Sequence, residues 1–296
     1  MNRPMKILTF YDVQGWAWWH RSHHIQENLS PAFQLDIKQD KEKYNPLDYD
    51  IVMIFDYYFL TLDHFTVPPP DRLLIGCSNS RLIDEMIYVV EQSHCLAGFM
   101  NNFGDYKKMT GHPNYFCCQN GVDTSLFYPP AQRPEKFKAC WVGSLNSMCN
   151  KGGDLIKAAC EKAGVELICV GVDPRYDKLL SHDQLREQAY HHASVLICAS
   201  EFEGTPNPAL EAMACGVPVI STRVGNMPEL IREGYNGILV NRSVDEIADA
   251  IRVIAALDKE TLAINCRQSI ENGWTWKQQT KKYETMFTTL AARRGL

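Results

Sequence analysis

The sequence predicts an α/β protein made of two Rossmann-like domains. Three observations indicate this: the length of 296 residues, a composition that is 45% hydrophobic and 22% charged, and two successive series of short apolar runs. A chain of this length usually splits into two cores, because a single core stops growing at about this size. The composition is typical of globular proteins and excludes a largely disordered chain.

Short runs rich in β-branched and aromatic residues alternate with stretches of helical period. The first series is KILTF, FQLDI, DIVMIF, RLLIG, CLAGFM and NYFCC, and the second is KACWVG, VELICVG, SVLICAS, VPVIS and GILV. Alternation of strand and helix is typical of parallel sheets covered by helices. Because prolines cluster at residues 129–135, we expect one domain over residues 1–130 and another over residues 131–274.

The C-terminal stretch that begins with WTW predicts one helix over residues 275–296. It places Trp276, Tyr283, Met286 and Phe287 near one face. That face could cover the second sheet, or it could return to the first domain. We favour the return, because the first domain is small and gains apolar contact from it.

The net charge of the chain bears on its partners. The formal net charge of -5 arises entirely in residues 1–130, which carry 10 Lys and Arg against 15 Asp and Glu. The field of the first domain therefore does not favour anionic partners such as nucleic acid.

The cysteines and the N-terminus bear on the compartment. Eleven cysteines are present, without any C-x-x-C pair, and Cys77, Cys140, Cys169 and Cys198 lie in apolar runs. We expect buried thiols rather than disulfides or metal ligands. The N-terminal apolar run ends at Tyr11, too short for a signal peptide or a membrane span. These features predict a cytoplasmic protein.

Residues 199–226, ASEFEGTPNPALEAMACGVPVISTRVGN, contain the most informative pattern of the chain. Its first residues follow a buried strand, and ligands of open α/β sheets bind beyond the carboxyl ends of the strands. Thr205 or Asn207 is expected to cap the next helix, with Pro206 or Pro208 in its first turn. Gly216 is expected to end that helix before the strand VPVIS.

Two glutamates of this stretch are candidates for ligand contacts. The amino end of the helix offers N–H groups and a partial positive charge, which suit a diphosphate. Glu203, in the loop, could accept hydrogen bonds from sugar hydroxyls, and Glu211, about a turn inside the helix, could hold a diol such as a ribose. The alternative is that both are ordinary solvated side chains.

The arrangement resembles the retaining family 4 glycosyltransferases of GT-B fold. The similarity rests on E-x₇-E followed by EAMACGVPVI and STRVGNMPELI, and further on QNGVDTSLFYP, WVGSLNSMCNKGGDLIKAA, NGILV and the WTW helix. Together these motifs cover most of residues 119–290. The resemblance implies two Rossmann-like domains facing across a cleft, with donor bound by the second and acceptor by the first.

The resemblance also implies a chemistry. It is transfer of a sugar from a nucleotide sugar, UDP- or GDP-linked, with retention of anomeric configuration and without a metal or other cofactor. Glu203 would contact the donor sugar and Lys151 the leaving diphosphate. The remaining donor-binding candidates are Glu211, Gly204, Thr205, Pro206, Asn207, Ser144 and Gly15. Residues 171–180 are expected near the base.

The sequence departs from this family at two positions. Relatives usually carry Arg after the glycine of the WVG motif, where this chain has Ser144. Arg21 and Arg223 are candidates to replace that cation. The histidine that relatives carry after a middle strand is replaced by Ser78 and Asn79.

The first domain contains the candidates for acceptor binding. A glycine-rich turn of the family is matched loosely by Gly15, and Trp16, Trp18 and Trp19 follow it. Their rings could stack on a sugar or base, or pack between the domains. The acceptor candidates are Asp12, Trp16, His20, Asp56 and Asn79.

Two patterns in the first domain suggest a metal, but neither is favoured. His20 and His24 have helical spacing and His23 lies between them, yet no acidic third ligand is close in sequence. Asp48 and Asp50 form a D-x-D pattern that precedes its strand, so it opens at the wrong end of the sheet. We therefore predict no metal.

Two other functions remain open beside transfer to an unidentified glycan, lipid or protein. One is a catalytically inactive module that binds a nucleotide or a glycan, which Ser144 and the missing histidine favour. The other is sugar transfer to nucleic acid, suggested by the aromatic and basic stretch WAWWHR. The acidic first domain argues against this last function.

Overall fold

The structure is a computed structural model that describes residues 3–78, 80–108, 114–143, 150–171 and 180–295. The chain forms two compact units. The first unit is Met1–Asn120 with Trp276–Leu296, and the second is Gly121–Thr275.

The first unit is built on a parallel sheet. Its strands are Met5–Tyr11 (β1), Phe33–Gln39 (β2), Ile51–Ile54 (β3), Leu73–Cys77 (β4), Ala97–Met100 (β5) and Tyr115–Cys117 (β6). They lie in the order β2-β1-β3-β4-β5-β6, and the pairings among described residues are parallel. Every residue of β3, β4 and β5 is buried, because helices cover both faces of such a sheet.

The first unit also contains helices. They are Ala17–Asn28 (α1), Ile83–Ser93 (α2), Phe103–Lys108 (α3) and the C-terminal Trp276–Arg294 (α10). The apolar face of α10 lies on this unit, with Tyr283, Met286 and Phe287 fully buried. Burial of each such side chain contributes about 1.5–3 kcal/mol. Arg21 of α1 adds a polar contact, since its Nε donates to the Tyr283 hydroxyl at 2.9 Å.

The second unit is built on another parallel sheet. Its strands are Lys138–Gly143 (β7), Glu166–Gly171 (β8), Val195–Cys198 (β9), Val219–Thr222 (β10) and Gly237–Val240 (β11), in the order β11-β10-β9-β7-β8. Its helices are Gly153–Ala163 (α4), His182–Gln188 (α5), Asn207–Ala214 (α6), Met227–Leu230 (α7), Val244–Ala256 (α8) and Lys259–Glu271 (α9). The predicted fold class, two Rossmann-like units with parallel sheets, is confirmed.

The division between the units lies at Asn120, earlier than the proline cluster suggested. Residues after it are bound into the second unit. The backbone N–H of Val122 donates to the Trp274 carbonyl at 2.9 Å. Arg267 of α9 donates to the carbonyls of Thr124 and Phe127 at 3.1 and 2.8 Å. These long-range hydrogen bonds explain why proline content misplaces the boundary.

Burial of the thiols agrees with expectation at three of four positions. Cys77, Cys140 and Cys198 are buried, whereas Cys169 is exposed. The prediction for Cys169 is wrong because β8 is the edge strand of its sheet, and an edge strand is covered less completely than a central one. Among the described residues, no helix combines the length and the apolar character that a membrane crossing requires.

Candidate active site

The second sheet reverses its strand order beside β7. Its neighbours are β8 on one side and β9 on the other, and the connections from these strands leave in opposite directions. Such a point opens a crevice at the carboxyl ends of the strands, where ligands of α/β proteins bind. The loop after β9, residues 199–206, lies at this point.

Two predicted site residues meet in this crevice. Lys151 lies just before α4, and its Nζ donates to Glu203 Oε1 at 2.5 Å. The hydroxyl of Ser200 donates to the same oxygen at 2.7 Å. The side chain of Glu203 is 14% exposed and that of Lys151 is 30% exposed. The ion pair is therefore partly buried but remains open to solvent on the lysine side.

A glycine holds the segment of Lys151 against the end of β9. Gly152 has φ of 72°, and a Cβ at this position would lie 2.4 Å from the Ala199 carbonyl oxygen. The N–H of Glu201 donates to the Asn150 carbonyl at 3.1 Å. Both the left-handed backbone and the close approach require glycine. This contact brings Lys151 within reach of Glu203.

A second glycine braces the loop from the other side. Gly225 has φ of 51°, and a Cβ there would lie 2.2 Å from the Gly204 carbonyl oxygen. Thr222 donates its hydroxyl to the Ser200 carbonyl at 2.7 Å. The loop is thus wedged between the segment before α4 and the segment after β10. Its glutamate is presented by a supported backbone.

The start of α6 differs from the prediction. Pro206 is the N-cap residue, and no side chain caps the helix, so the expectation that Thr205 or Asn207 would do so is wrong. Pro206 and Pro208 have no N–H, and the N–H of Ala209 donates to the Pro206 carbonyl. The first turn therefore offers fewer donors to an anion than a helix without proline.

Glu211 lies on α6, as expected. The Tyr190 hydroxyl donates to Glu211 Oε2 at 2.6 Å. Removal of the carboxyl from water raises the pKa of Glu211 to about 7, and the hydrogen bond from Tyr190 partly opposes this rise. The carboxyl therefore changes charge close to neutral pH.

Other donor candidates are placed as follows. Gly204 and Pro206 are buried, whereas Thr205 and Asn207 are partly exposed. Ser144 lies outside the described residues, as do residues 172–179, to which we assigned the neighbourhood of the base.

The arginines near the carboxyl ends of the second sheet were only partly predicted from the sequence. Arg242, which follows β11, donates Nε to the Ala199 carbonyl at 3.1 Å and lies 3.5 Å from the Glu201 carboxylate. Arg223 is exposed, and Arg21 is buried in the first unit against Tyr283. Arg242 was missed because it lies 43 residues beyond the carbonyl it binds.

The first unit places two acceptor candidates at the carboxyl ends of its strands. Asp12 follows β1 and accepts a hydrogen bond from Val13 N at 2.8 Å. Asp56 follows β3 and accepts one from Tyr58 N at 3.0 Å. Burial is the main cause that raises the pKa of each carboxyl above its usual value. The order of this sheet reverses between β1 and β3, so both aspartates lie at its switch point.

The loop between β1 and α1 contains the other acceptor candidates. Gly15 has φ of 75°, and Trp16 is the N-cap residue of α1. The ring of His20 lies edge-on to Trp19 at 4.9 Å. Trp18 packs on Phe59 in the core of this unit. Asn79 lies outside the described residues.

A polar pair in the first unit was not predicted. Asp40, just after β2, accepts a contact from His64 Nε2 at 3.3 Å. The partners are separated by a strand and a loop, so no local spacing indicates the pair.

Within the described ranges, no group of three or more His, Cys, Asp or Glu side chains could hold a metal ion. Asp50 of the D-x-D pattern is paired instead with Arg3 at 2.7 Å.

Comparison with known proteins assigns the second unit to a family. Residues 136–256, which include Lys151, Glu203 and Glu211, match the family Glycosyl transferases group 1. Over these residues the chain matches a glycosyl transferases group 1 domain. Solved structures that resemble this chain show that its two Rossmann-like units have the GT-B fold.

Two solved structures illustrate that likeness. A sucrose-phosphate synthase from Thermosynechococcus elongatus has a TM-score of 0.77 at 17% identity, over 98% of this chain and 100% of that one. HepE from Anabaena, in complex with UDP and glucose, has a TM-score of 0.70 at 13% identity, over 96% of this chain and 99% of that one. At these identities the likeness concerns the fold alone.

Curated relatives match a smaller part of the chain. D-inositol 3-phosphate glycosyltransferase from Kribbella flavida is 36% identical over 110 residues, which are 35% of this chain and 26% of that protein. A GDP-mannose-dependent alpha-(1-6)-phosphatidylinositol monomannoside mannosyltransferase from Mycobacterium tuberculosis is 29% identical over 196 residues, 53% of this chain and 51% of that protein. The matched part of this chain thus corresponds to between a quarter and a half of these relatives.

Proposed function

We propose that this protein transfers a sugar from a nucleotide-sugar donor to an acceptor, with retention of anomeric configuration. The observation that carries the proposal is the contact between Lys151 and Glu203 at the switch point of a glycosyl transferases group 1 domain. A cation beside a carboxylate suits the proposed chemistry, because the cation can stabilise a leaving diphosphate and the carboxylate can accept hydrogen bonds from sugar hydroxyls.

The donor is proposed to lie along the loop after β9. Its sugar hydroxyls bind the Glu203 carboxylate, its diphosphate lies against Lys151, and its ribose lies near Glu211. Because Lys151 and Glu203 contact each other, a donor that binds both must share or separate this ion pair. The pair keeps both side chains in defined positions until then, which lowers the entropy that binding must remove.

Cleavage breaks the bond between the anomeric carbon and a phosphate oxygen. The electron pair stays on the diphosphate, where the Lys151 ammonium stabilises the developing negative charge. Attack by the acceptor hydroxyl on the same face forms the new bond, and its proton passes to the leaving phosphate oxygen. Glu203 positions the sugar in this scheme and forms no covalent bond with it.

The donor class is proposed as UDP- or GDP-sugars. One curated relative is GDP-mannose-dependent by its name, and one solved neighbour binds UDP and glucose. The acceptor is proposed to bind in the first unit, near Asp12 and Asp56. Both carboxyls lie at the switch point of the first sheet, and burial raises the pKa of each above its usual value.

A catalytically inactive binding module is the second candidate. It is favoured by the start of α6, where two prolines remove N–H donors from the expected diphosphate seat. Such a module would bind nucleotide or glycan and release nothing.

Nucleotide release from a panel of UDP-, GDP- and ADP-sugars separates the two candidates. We expect saturable release of one nucleoside diphosphate, with the α-anomer of the sugar released first from an α-linked donor. Lys151→Met should lower kcat by about 10²-fold, whereas Lys157→Met, on the exposed side of α4, should leave it unchanged. Saturable binding without release would identify the inactive module, and initial release of the β-anomer would exclude retention.

A further inference from the structure

The hydroxyl of Tyr190 meets the carboxyl of Glu211 inside the second unit. Tyr190 lies in a short 3-10 segment, Tyr190–His192, just before β9, and it is fully buried. Its hydroxyl donates to Glu211 Oε2 at 2.6 Å. Charge-assisted hydrogen bonds of this length are about twice as strong as neutral ones.

The packing around Tyr190 fixes the direction of this hydrogen bond. Its ring meets Phe127 edge-on at 5.9 Å, and it shares one core cluster with Leu210 and Met213 of α6. Side chains in a packed core sit in rotamer minima and interdigitate closely with their neighbours. The hydroxyl is therefore held in place, and the Glu211 carboxyl is held with it.

The two carboxyl oxygens of Glu211 are not equivalent. Oε2 is occupied by Tyr190, while no described residue donates a hydrogen bond to Oε1. The glutamate itself is half-buried rather than enclosed. A carboxylate held by one oxygen presents the other in a defined direction, which is what recognition of a diol needs.

On the basis of the proposed function, we propose that Tyr190 is a positioning residue for the nucleotide. It holds Oε2 of Glu211 so that Oε1 points at the ribose hydroxyls of the donor, and nucleotide binding then depends on ionisation of Glu211. Tyr190 touches no part of the donor in this arrangement. It acts through the carboxylate.

Other charged and titratable groups near Tyr190 and Glu211 do not explain a pH dependence of nucleotide binding. Arg186 of α5 is paired with Asp183 at 2.5 Å, and Arg267 of α9 is paired with Glu271 at 2.5 Å. The strands packed against α6 contribute thiols of Cys140 and Cys198, and the helix itself is followed by Cys215. Burial raises the pKa of each of these thiols above its usual value, so they stay neutral while Glu211 titrates.

The sign of the expected pH dependence follows from the contact. The phenol donates to the ionised carboxylate, so it lowers the pKa of Glu211 relative to a buried carboxyl without it. Burial raises the pKa of Tyr190 itself well above its usual value, so the phenol remains a donor throughout. Removing the hydroxyl must move the titration of Glu211 upward.

The first experiment measures Glu211 in the full chain without nucleotide. Carbon NMR of the labelled glutamate carboxyl is followed from pH 5 to pH 9 in the wild type and in Tyr190→Phe. The resonance is assigned by its loss in Glu211→Gln. We expect the midpoint to rise by about one pH unit in Tyr190→Phe, as loss of a hydrogen bond to a charged group implies. An unchanged midpoint would overturn positioning by Tyr190.

The second experiment measures the affinity for UDP and for GDP over the same pH range. Wild-type affinity for the bound nucleotide should increase with pH about a midpoint near the Glu211 titration. In Tyr190→Phe that curve should move upward in pH, so that KM at pH 7 rises about 3- to 10-fold while kcat at saturating donor is retained. Glu211→Gln should bind weakly and without this pH dependence.

A matched control distinguishes positioning from general loss of packing. Tyr283→Phe also removes a hydroxyl from a fully buried tyrosine, but in the first unit, and it should leave nucleotide affinity and its pH dependence unchanged. If Tyr190→Phe and Tyr283→Phe weaken binding equally, the proposal is wrong. If the wild type binds neither nucleotide, the proposed function fails and the ribose contact fails with it, whereas the NMR midpoint still decides whether Tyr190 holds Glu211.

Discussion

Replacement of Glu203 by glutamine is the most informative single change in the proposed site. The substitution keeps the shape of the side chain and removes its charge. In the structure the carboxylate accepts hydrogen bonds from Lys151 at 2.5 Å and from Ser200 at 2.7 Å. A preorganised contact of this kind contributes about 2.7–4 kcal/mol to transition-state stabilisation, or about 10²–10³ in rate. We expect kcat to fall by about 100-fold or more.

The effect of the same change on folding should be much smaller. An exposed ion pair contributes about 0–1 kcal/mol, and loss of one partner of a fully buried pair costs about 3–5 kcal/mol. Lys151 is 30% exposed, so its ammonium can turn to water when Glu203 is neutralised. We expect a loss of about 1–2 kcal/mol, which lowers Tm by about 2–8 °C in a unit of this size.

The assay combines nucleotide release with thermal unfolding on the same samples. Glu201→Gln is the control, because this glutamate lies in the same loop with its side chain 50% exposed. We expect the control to retain turnover within about twofold and Tm within about 2 °C. Turnover by Glu203→Gln within threefold of the wild type, in a protein that remains folded, would refute the role of Glu203.

Three further predictions concern a glycine that supports the site, the titration of Glu211, and a buried contact of the first unit. Gly225→Ala should lower Tm by several degrees and weaken nucleotide binding about tenfold, because its Cβ would lie 2.2 Å from a carbonyl oxygen; Gly234→Ala, with φ of 69° but open space around it, should leave binding unchanged in the same titration. Because the pKa of Glu211 is raised from 4.5 to about 7, it lowers stability progressively from pH 4.5 to pH 7. Glu211→Gln should therefore gain up to about 3 kcal/mol relative to the wild type over that range in urea unfolding, and parallel pH curves would contradict the shift. Arg21→Met should destabilise the chain by about 2–4 kcal/mol by leaving its buried partners unsatisfied, yet nucleotide affinity measured below Tm should not change.

The strands of both sheets could be predicted from the sequence for a physical reason. Parallel strands that are covered on both faces consist of continuous apolar residues, as β3 and β4 do. Such runs stand out against the helical stretches between them. Edge strands such as β2 and β8 are less buried than central ones, which is why Cys169 of β8 was assigned wrongly.

The contacts of the site could be predicted less well, because they join distant parts of the chain. Glu203 was recognised from its motif, but its hydrogen bond with Lys151 spans 52 residues, and no local pattern indicates it. Tyr190 was missed for the same reason, since nothing beside it in sequence marks it as the partner of Glu211. Gly152 carries a signal that could have been used, because it directly follows the predicted site residue Lys151.

Helix capping at α6 shows a different limit. Thr205 and Asn207 have side chains that commonly cap helices, and Pro206 lies between them. The fixed φ of proline suits the boundary of the helix, so the chain enters α6 at Pro206 without a side-chain cap. The preference of Thr and Asn for capping positions therefore did not decide where α6 begins.

The most direct test is a crystal structure of the protein soaked separately with UDP-glucose and with GDP-mannose. We predict density for one donor in the second unit, with sugar hydroxyls within hydrogen-bond distance of Glu203 and the diphosphate against the Lys151 ammonium. Donor density elsewhere, with the contact between Lys151 and Glu203 intact, would contradict it.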